Sequence, residues 1–274
     1  MAGLLDMGVS FESIIRTPEN VSRKVFVSTD WRIVYVNHGT ADWRINDQHY
    51  KVKPGTIIFL HNKYQRIISK IHSDYFDIWV INMKPQFVFN FGFTELFESV
   101  LDKYSPVFNN CPVEVASLFE NMHGENKIKK SNYMIMIYSA TLMILTHLNR
   151  ERGFVSEPGV FKPKVQKVLD FIDDNFCRQI YLSQLSEMAC MTKEAFSKYF
   201  KRITGINVFR YICHKRIARA IELIDTTDLT ILDIALQCGF ENMANFYKTF
   251  RTLTGQIPSA LRPKQKNIYN SQKS

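Results

Sequence analysis

The sequence predicts an α+β protein in two parts: an antiparallel β-sandwich or barrel with two flanking helices, then an all-α domain with two helix-turn-helix motifs. Three observations predict it. Short apolar runs between turn residues fill residues 21–91, and the apolar period lengthens to three and four after Pro112. One hexapeptide also nearly recurs fifty residues on, as Phe200-Lys201-Arg202-Ile203-Thr204-Gly205 and Phe250-Arg251-Thr252-Leu253-Thr254-Gly255. Each copy closes a helix that follows a shorter helical stretch, which is the size of a helix-turn-helix.

Length and charge bound the function. The 274 residues are 46% hydrophobic and 13% aromatic, enough for two domains with separate cores and unlike a disordered chain. The formal charge of +9 is uneven: residues 1–160 carry 17 Lys/Arg against 16 Asp/Glu, and residues 161–274 carry 18 against 10. The basic C-terminal part needs a polyanionic partner, and the near-neutral N-terminal part does not. Cys111, Cys177, Cys190, Cys213 and Cys238 are far apart, odd in number and free of any C-x-x-C pair, so reduced thiols and a cytoplasmic protein are expected. The first residues lack a basic segment followed by an apolar core, so no secretory signal is expected. The apolar stretch 133–148 contains Ser139, Thr141, Thr146 and His147 and falls short of the roughly 20 residues that span a bilayer. A buried helix is expected there, and no membrane partner.

In the N-terminal part, apolar or alternating runs at 24–27, 31–36, 42–45, 57–60, 66–71 and 75–81 are separated by Asn37-His38-Gly39, Asn46-Asp47 and Lys53-Pro54-Gly55, a pattern of short antiparallel strands. Val115, Leu118, Phe119 and Met122, then Ile137, Tyr138, Thr141, Leu142, Leu145 and Leu148, mark two amphipathic helices. Gly153, Pro158, Gly159 and Pro163 interrupt helical periodicity and read as a linker. The division expected is 1–152 for the N-terminal domain, 153–163 for the linker, 164–264 for the helical domain and 265–274 for a polar, frayed tail.

In the helical domain, residues 164–176 bury Val165, Val168, Leu169 and Ile172. A short helix at 182–189 has Ser183 as its expected N-cap, and Thr192 caps a helix over 193–204. That helix buries Phe196, Tyr199, Phe200 and Ile203 and turns Lys193, Glu194, Ser197, Lys198 and Lys201 outward. The second unit repeats the plan, with Thr230 as cap and a turn at Cys238-Gly239-Phe240. Its helix over 242–254 buries Phe246, Phe250 and Leu253 and leaves Asn242, Met243, Asn245, Tyr247, Lys248 and Arg251 outside. Between the units, residues 208–224 form a rod of roughly 25 Å, which suits two helices held near the ~34 Å repeat of successive major grooves. Residues near the start of a second helix reach base edges, and basic residues further along meet phosphates.

Residues 164–262 resemble the C-terminal domain of the AraC/XylS family of bacterial regulators. The resemblance rests on Phe200-Lys-Arg-x-Thr-Gly205, on Arg216-Ile217-x-x-Ala220-x-x-Leu223 and on Ile231-x-x-Ile234-Ala235-x-x-x-Gly239-Phe240. It continues through Phe246-x-x-x-Phe250-Arg251-x-x-x-Gly255-x-x-Pro258-x-x-x-Arg262. It implies base reading by Glu194, Ser197 and Lys198 in the first unit and by Met243, Asn245, Tyr247 and Lys248 in the second. Two positions depart from the pattern: Cys190 stands where the first turn usually has Gly, and Ser186 where Ala is usual. Glu194 can accept from a cytosine amino group or simply avoid phosphate.

Residues 37–60 resemble the cupin-like sensing barrel of the same family through Pro54-Gly55 and the apolar strand after it. His38, His49, His61 and His72 are spaced eleven or twelve apart, without the close His pair and Glu of metal-binding cupins, so no metal and no cofactor are expected. An effector pocket would draw its wall from Trp31, Tyr35, Trp43, Phe59, Phe76 and Trp79, with Arg44, Lys63 and Arg66 to anchor an anionic head group. Those aromatics equally suit a plain core. The helices at 113–122 and 132–148 resemble the pair by which relatives dimerise, and packing on their own barrel is the alternative. The partners implied are double-stranded promoter DNA, RNA polymerase, a small-molecule effector and a second copy of the chain. Activation is what the resemblance implies; repression fits the residues equally well, and an antagonist that does not bind DNA is the further alternative. Neither a metal triad nor a nucleophile paired with a base is present, so an enzyme is not expected.

Overall fold

The computed structural model describes residues 8–19, 27–63, 66–102, 104–154, 158–159 and 162–262. Most of the expected strand at 24–27, much of the linker and the tail 265–274 lie outside the described residues, as does the side chain of Arg66.

Among its described residues the N-terminal part holds eight strands: β1 (Val9–Arg16), β2 (Trp31–His38), β3 (Ala41–Ile45), β4 (Gln48–Val52), β5 (Ile57–Leu60), β6 (Arg66–Ile71), β7 (Phe76–Met83) and β8 (Val107–Phe108). They form a five-stranded sheet in the order β1-β7-β2-β5-β8 and a three-stranded sheet in the order β4-β3-β6. Every pairing is antiparallel, with irregularities at Val36/His38 and Asp42/Trp43 that bend the ladders. Val34, Val36, Ile58, Leu60, Ile78 and Val80 of the larger sheet meet Trp43, Ile45, Val52 and Ile71 of the smaller one in the core between them. Gly39 turns the chain from β2 to β3 at φ +85°, where a Cβ would lie 2.4 Å from the Tyr75 carbonyl oxygen.

The opposite face of the larger sheet is covered by α1 (Pro85–Asn90), α2 (Thr94–Asp102), α3 (Val113–Ile128) and α4 (Tyr133–Glu151). Strands β2 and β7 are therefore buried on both faces, which is why they read as nearly continuous apolar runs. Helix α4 buries Ile137, Ala140, Thr141, Ile144, Leu145 and Leu148 along one stripe. Among the described residues, no helix is long and apolar enough to cross a membrane.

The C-terminal part is helical: α5 (Pro163–Asn175), α6 (Leu182–Met188), α7 (Lys193–Thr204), α8 (Val208–Thr226), α9 (Ile231–Gln237), α10 (Met243–Thr254) and α11 (Pro258–Leu261). Proline opens both α5 and α11, where its missing N–H costs nothing. Two cores fill it. One gathers α5, α6, α7 and the start of α8; the other gathers the rest of α8 with α9, α10 and α11.

Candidate nucleic-acid interface

Each helix-turn-helix corner is built by the same hydrogen bonds. In the first unit the amides of Cys190 and Met191 donate to the carbonyls of Glu187 and Ser186 at 2.9 Å each. In the second, Gly239 and Phe240 donate to Leu236 and Ala235 at 2.9 and 3.0 Å. Both corners pass through a left-handed residue, Cys190 at φ +52° and Gly239 at φ +82°. The missing glycine therefore does not change the conformation of the first corner. Ser186 is accommodated where alanine is usual because its hydroxyl donates to the Ser183 carbonyl at 2.9 Å. The corner of the second unit is one residue longer before its recognition helix starts.

Helix α7 begins at Thr192, whose hydroxyl accepts from the Ala195 amide at 3.2 Å, and α9 begins at Thr230, which accepts from Asp233 at 3.1 Å. Ser183 is not the cap of α6. It lies inside that helix, and Tyr181 takes the cap position without a side-chain hydrogen bond. Helix α10 is capped by Asn242, whose Oδ1 accepts from the amides of Ala244 and Asn245 at 2.8 and 3.2 Å. Asn242 thus sits just before the helix rather than on its outer face.

Lys193, Glu194, Lys198 and Lys201 are exposed on α7, with Ser197 half-buried; Asn245, Tyr247, Lys248 and Arg251 are exposed on α10. Met243 differs from the outward position expected, because its side chain is half-buried against the second core. Lys198 and Lys248 occupy equivalent turns of the two helices. Between the units α8 runs 19 residues, about 28 Å at ~1.5 Å per residue.

Arg216 holds the two units together, a role its sequence position did not indicate. Its guanidinium donates to the carbonyls of Phe176 (2.7 Å), Gly239 (2.8 Å) and Arg178 (2.8 Å), tying the end of α5 to the corner of the second unit. Each of its three nitrogens is engaged in this way, so it stabilises the frame. Beside it an open cleft of about 560 Å³ is lined by Gln179, Phe209, Leu236, Asn242 and Asn245 among others. Burial raises the thiols of Cys177 and Cys213 and pushes Cys238 up to about 12, so these groups stay protonated.

The aromatic set expected to wall a single barrel cavity is divided by the larger sheet. Trp43 and Phe76 lie between the two sheets, whereas Trp31, Tyr35, Phe59 and Trp79 point to the other face, under the helices. Phe76 and Trp79, three apart on β7, face opposite sides of the sheet by strand alternation, so a single wall does not hold both, and the helical layer over the second face was not visible in the sequence. Lys63 is half-buried near His61, while Arg44 on β3 is distant in sequence from that corner and also half-buried. Among the described residues, no three His, Cys, Asp or Glu side chains are grouped to hold a metal ion.

Residues 185–264 match the family model of a helix-turn-helix domain. The chain is similar to the HTH-type transcriptional activator RhaS of Escherichia coli K12, at 23% identity over 239 residues, 84% of each chain. Its fold is similar to that of ToxT from Vibrio cholerae, with a TM-score of 0.56 at 16% identity over 92% of this chain and 97% of that one. An unsaturated-fatty-acid-bound form of ToxT superposes with a TM-score of 0.55 at 14% identity, over 92% and 94% of the two chains. The tandem units, their matching corners and these likenesses support a helix-turn-helix transcriptional regulator of the AraC/XylS type.

Proposed function

We propose that the N-terminal ends of α7 and α10 enter successive major grooves of promoter DNA, and that the N-terminal part gates this binding through an effector or through dimerisation. One observation carries the reading: two capped helices with exposed lysines at equivalent turns stand on either side of a single 19-residue helix. Glu194, Ser197 and Lys198 read one half-site, and Asn245, Tyr247 and Lys248 read the other. Asn242 and Met243 set the start of α10, and Lys193, Lys201 and Arg251 meet phosphates.

Replacement of Lys198 or Lys248 by Ala tests the assignment in gel-shift titrations across salt concentrations. A base-reading lysine costs about 1–3 kcal/mol and relaxes preference at one position. A phosphate ligand instead weakens all sequences alike and lowers the salt slope by about one. Unchanged affinity on every duplex for both variants contradicts the reading.

The regulator activates by recruiting RNA polymerase, as RhaS is named an activator. An effector with an acyl carboxylate is the first class to test, because ToxT has been solved with an unsaturated fatty acid. One polar point for such a molecule is where Trp79 stacks on His123 at 4.7 Å and 12°. Trp79 Nε1 and His123 Nδ1 are both buried there and meet no described protein group. All three tryptophans lie in the N-terminal part, so titration of the full chain with oleate reads this region by fluorescence. No change in emission up to millimolar oleate removes that class. Exposed Val113, Ile128, Ile135, Met136 and Met143 on α3 and α4 support a homodimer through these helices. Equilibrium sedimentation that gives a monomer at all concentrations removes it.

A further inference from the structure

The repeated Thr-Gly helix end provides an internal comparison. In both copies the threonine hydroxyl donates back into its own helix, Thr204 to the Phe200 carbonyl at 2.8 Å and Thr254 to the Phe250 carbonyl at 2.7 Å. Both glycines that follow are left-handed, Gly205 at φ +75° and Gly255 at φ +73°. Their surroundings differ. Gly255 is exposed, whereas Gly205 is buried beneath the N-terminal part. A Cβ on Gly205 would lie 2.6 Å from His61 Cε1 and 3.2 Å from Trp31 Cζ2. Asn62, 2% exposed, donates from Nδ2 to the Thr204 carbonyl at 2.8 Å and to the Thr29 carbonyl at 3.0 Å.

The same seam continues on both sides of this corner. Phe89 of α1 inserts into the first unit's core, with the Arg202 guanidinium 5.5 Å from its ring. The Ser28 carbonyl lies 3.1 Å from His214 Nδ1 on α8. Among the described residues, the second unit's core meets the N-terminal part at Val27. The seam grips the C-terminal end of α7, about 18 Å along the helix from Lys193 at ~1.5 Å per residue, and leaves Lys193, Glu194 and Lys198 exposed. Docking therefore does not cover the reading end.

We propose that the N-terminal part acts on DNA through the first helix-turn-helix unit, by holding the Thr204-Gly205 corner of α7 against Trp31, His61 and Asn62, and that the closed seam is the DNA-competent form. The inference rests on the DNA-binding reading above. A held first unit presents its half-site contacts at a fixed angle to α8, which lowers the ordering cost of engaging two grooves at once. Whatever loosens the seam, an effector included, then weakens the first half-site before the second.

The test uses the full chain as wild type, Asn62→Ala, Gly205→Ala and Gly255→Ala. The last variant introduces the same left-handed strain as Gly205→Ala but away from the seam. Hydrogen exchange reads amides 203–206 against 253–256, and footprinting reads both half-sites of one duplex. The expected result is stronger protection of 203–206 in wild type, lost in Asn62→Ala and Gly205→Ala and kept in Gly255→Ala. With that loss, affinity for the two-groove site falls about tenfold, and the first half-site weakens most. Equal protection of the two corners in wild type overturns the seam. Lost protection with unchanged or tighter DNA binding overturns its role as the competent form. A wild-type chain that binds no duplex overturns the DNA reading and this coupling together, while the exchange pattern still reports the seam separately.

Discussion

Cys190 carries a cost that Gly239 avoids. The corner between the two helices of each unit needs one left-handed residue, and a Cβ there costs roughly 1–2 kcal/mol relative to glycine. Cys190→Gly relieves that strain but gives the unfolded chain more freedom, so a net gain of about 0.5–1 kcal/mol is expected in urea unfolding of the helical part. No gain contradicts the strain. Gly239→Ala goes the other way, because its Cβ would sit 2.3 Å from the Cys177 carbonyl oxygen, and a loss above ~2 kcal/mol is expected. Gly239 announced the second corner because glycine tolerates positive φ, whereas Cys190 carried no such signal at the first. Residue type announced Thr192 and Thr230 as caps because a hydroxyl there can accept an orphan amide. Ser183 misled for the same reason: a hydroxyl two residues past the cap position becomes part of the helix, and nothing in its identity reveals the shift. Arg216 was legible as part of a motif but not as a staple, since its three carbonyl partners come from Phe176, Arg178 and Gly239, which are distant in sequence.

At the scale of elements, the helices of the DNA-binding half were readable because they bury stripes at 3.6-residue spacing, and α7 and α10 each end at the repeated Thr-Gly. The strands were readable in order but incompletely. Strand β1 lies before the first expected strand, although Val9 and Phe11 alternate with polar residues as it requires. Strand β4 presents mostly exposed residues and so carries little apolar signal. Short α1 follows directly on β7, and its run of Phe87, Val88 and Phe89 is buried all round, which no period can distinguish from a strand. Helix α10 allows stability and recognition to be separated at one position. Asn242→Asp keeps a capping oxygen and adds a favourable charge at the helix start, so stability should hold within ~0.5 kcal/mol, whereas DNA affinity falls from repulsion near phosphate. Asn242→Ala should instead lose about 1 kcal/mol of stability, read by thermal unfolding. Equal affinities for Asn242→Asp and wild type place Asn242 away from the duplex.

At the scale of the molecule, the contact between the two parts was not legible in the sequence. His61 read as one of four scattered histidines, yet it is fully buried, with Trp31 at 4.8 Å between ring centroids. Its Nδ1 accepts from the Lys63 amide at 3.1 Å. Burial first, then Lys63, Arg210 and His214, pull its pKa from 6.5 to about 3. Between those values the unfolded chain binds a proton that the folded chain refuses. The stability His61 contributes is full above about pH 6.5 and is lost as the pH falls toward 3, by at most ~1.4 kcal/mol per unit. Denaturant unfolding from pH 7 to pH 4.5 should therefore show a shallower loss for His61→Gln than for wild type, and identical slopes contradict a neutral His61 in the seam.

The positive charge of the C-terminal part, the 19-residue spacer and the two open recognition helices converge on a single geometric claim, that one chain reads two major grooves on one face of the duplex. Hydroxyl-radical footprinting on a selected binding site, with and without five base pairs inserted between the half-sites, tests it most directly. Two protected patches about 10–10.5 base pairs apart, with binding abolished by the half-turn insertion, is the predicted result. A single patch, or full binding to the site with five added base pairs, would contradict it.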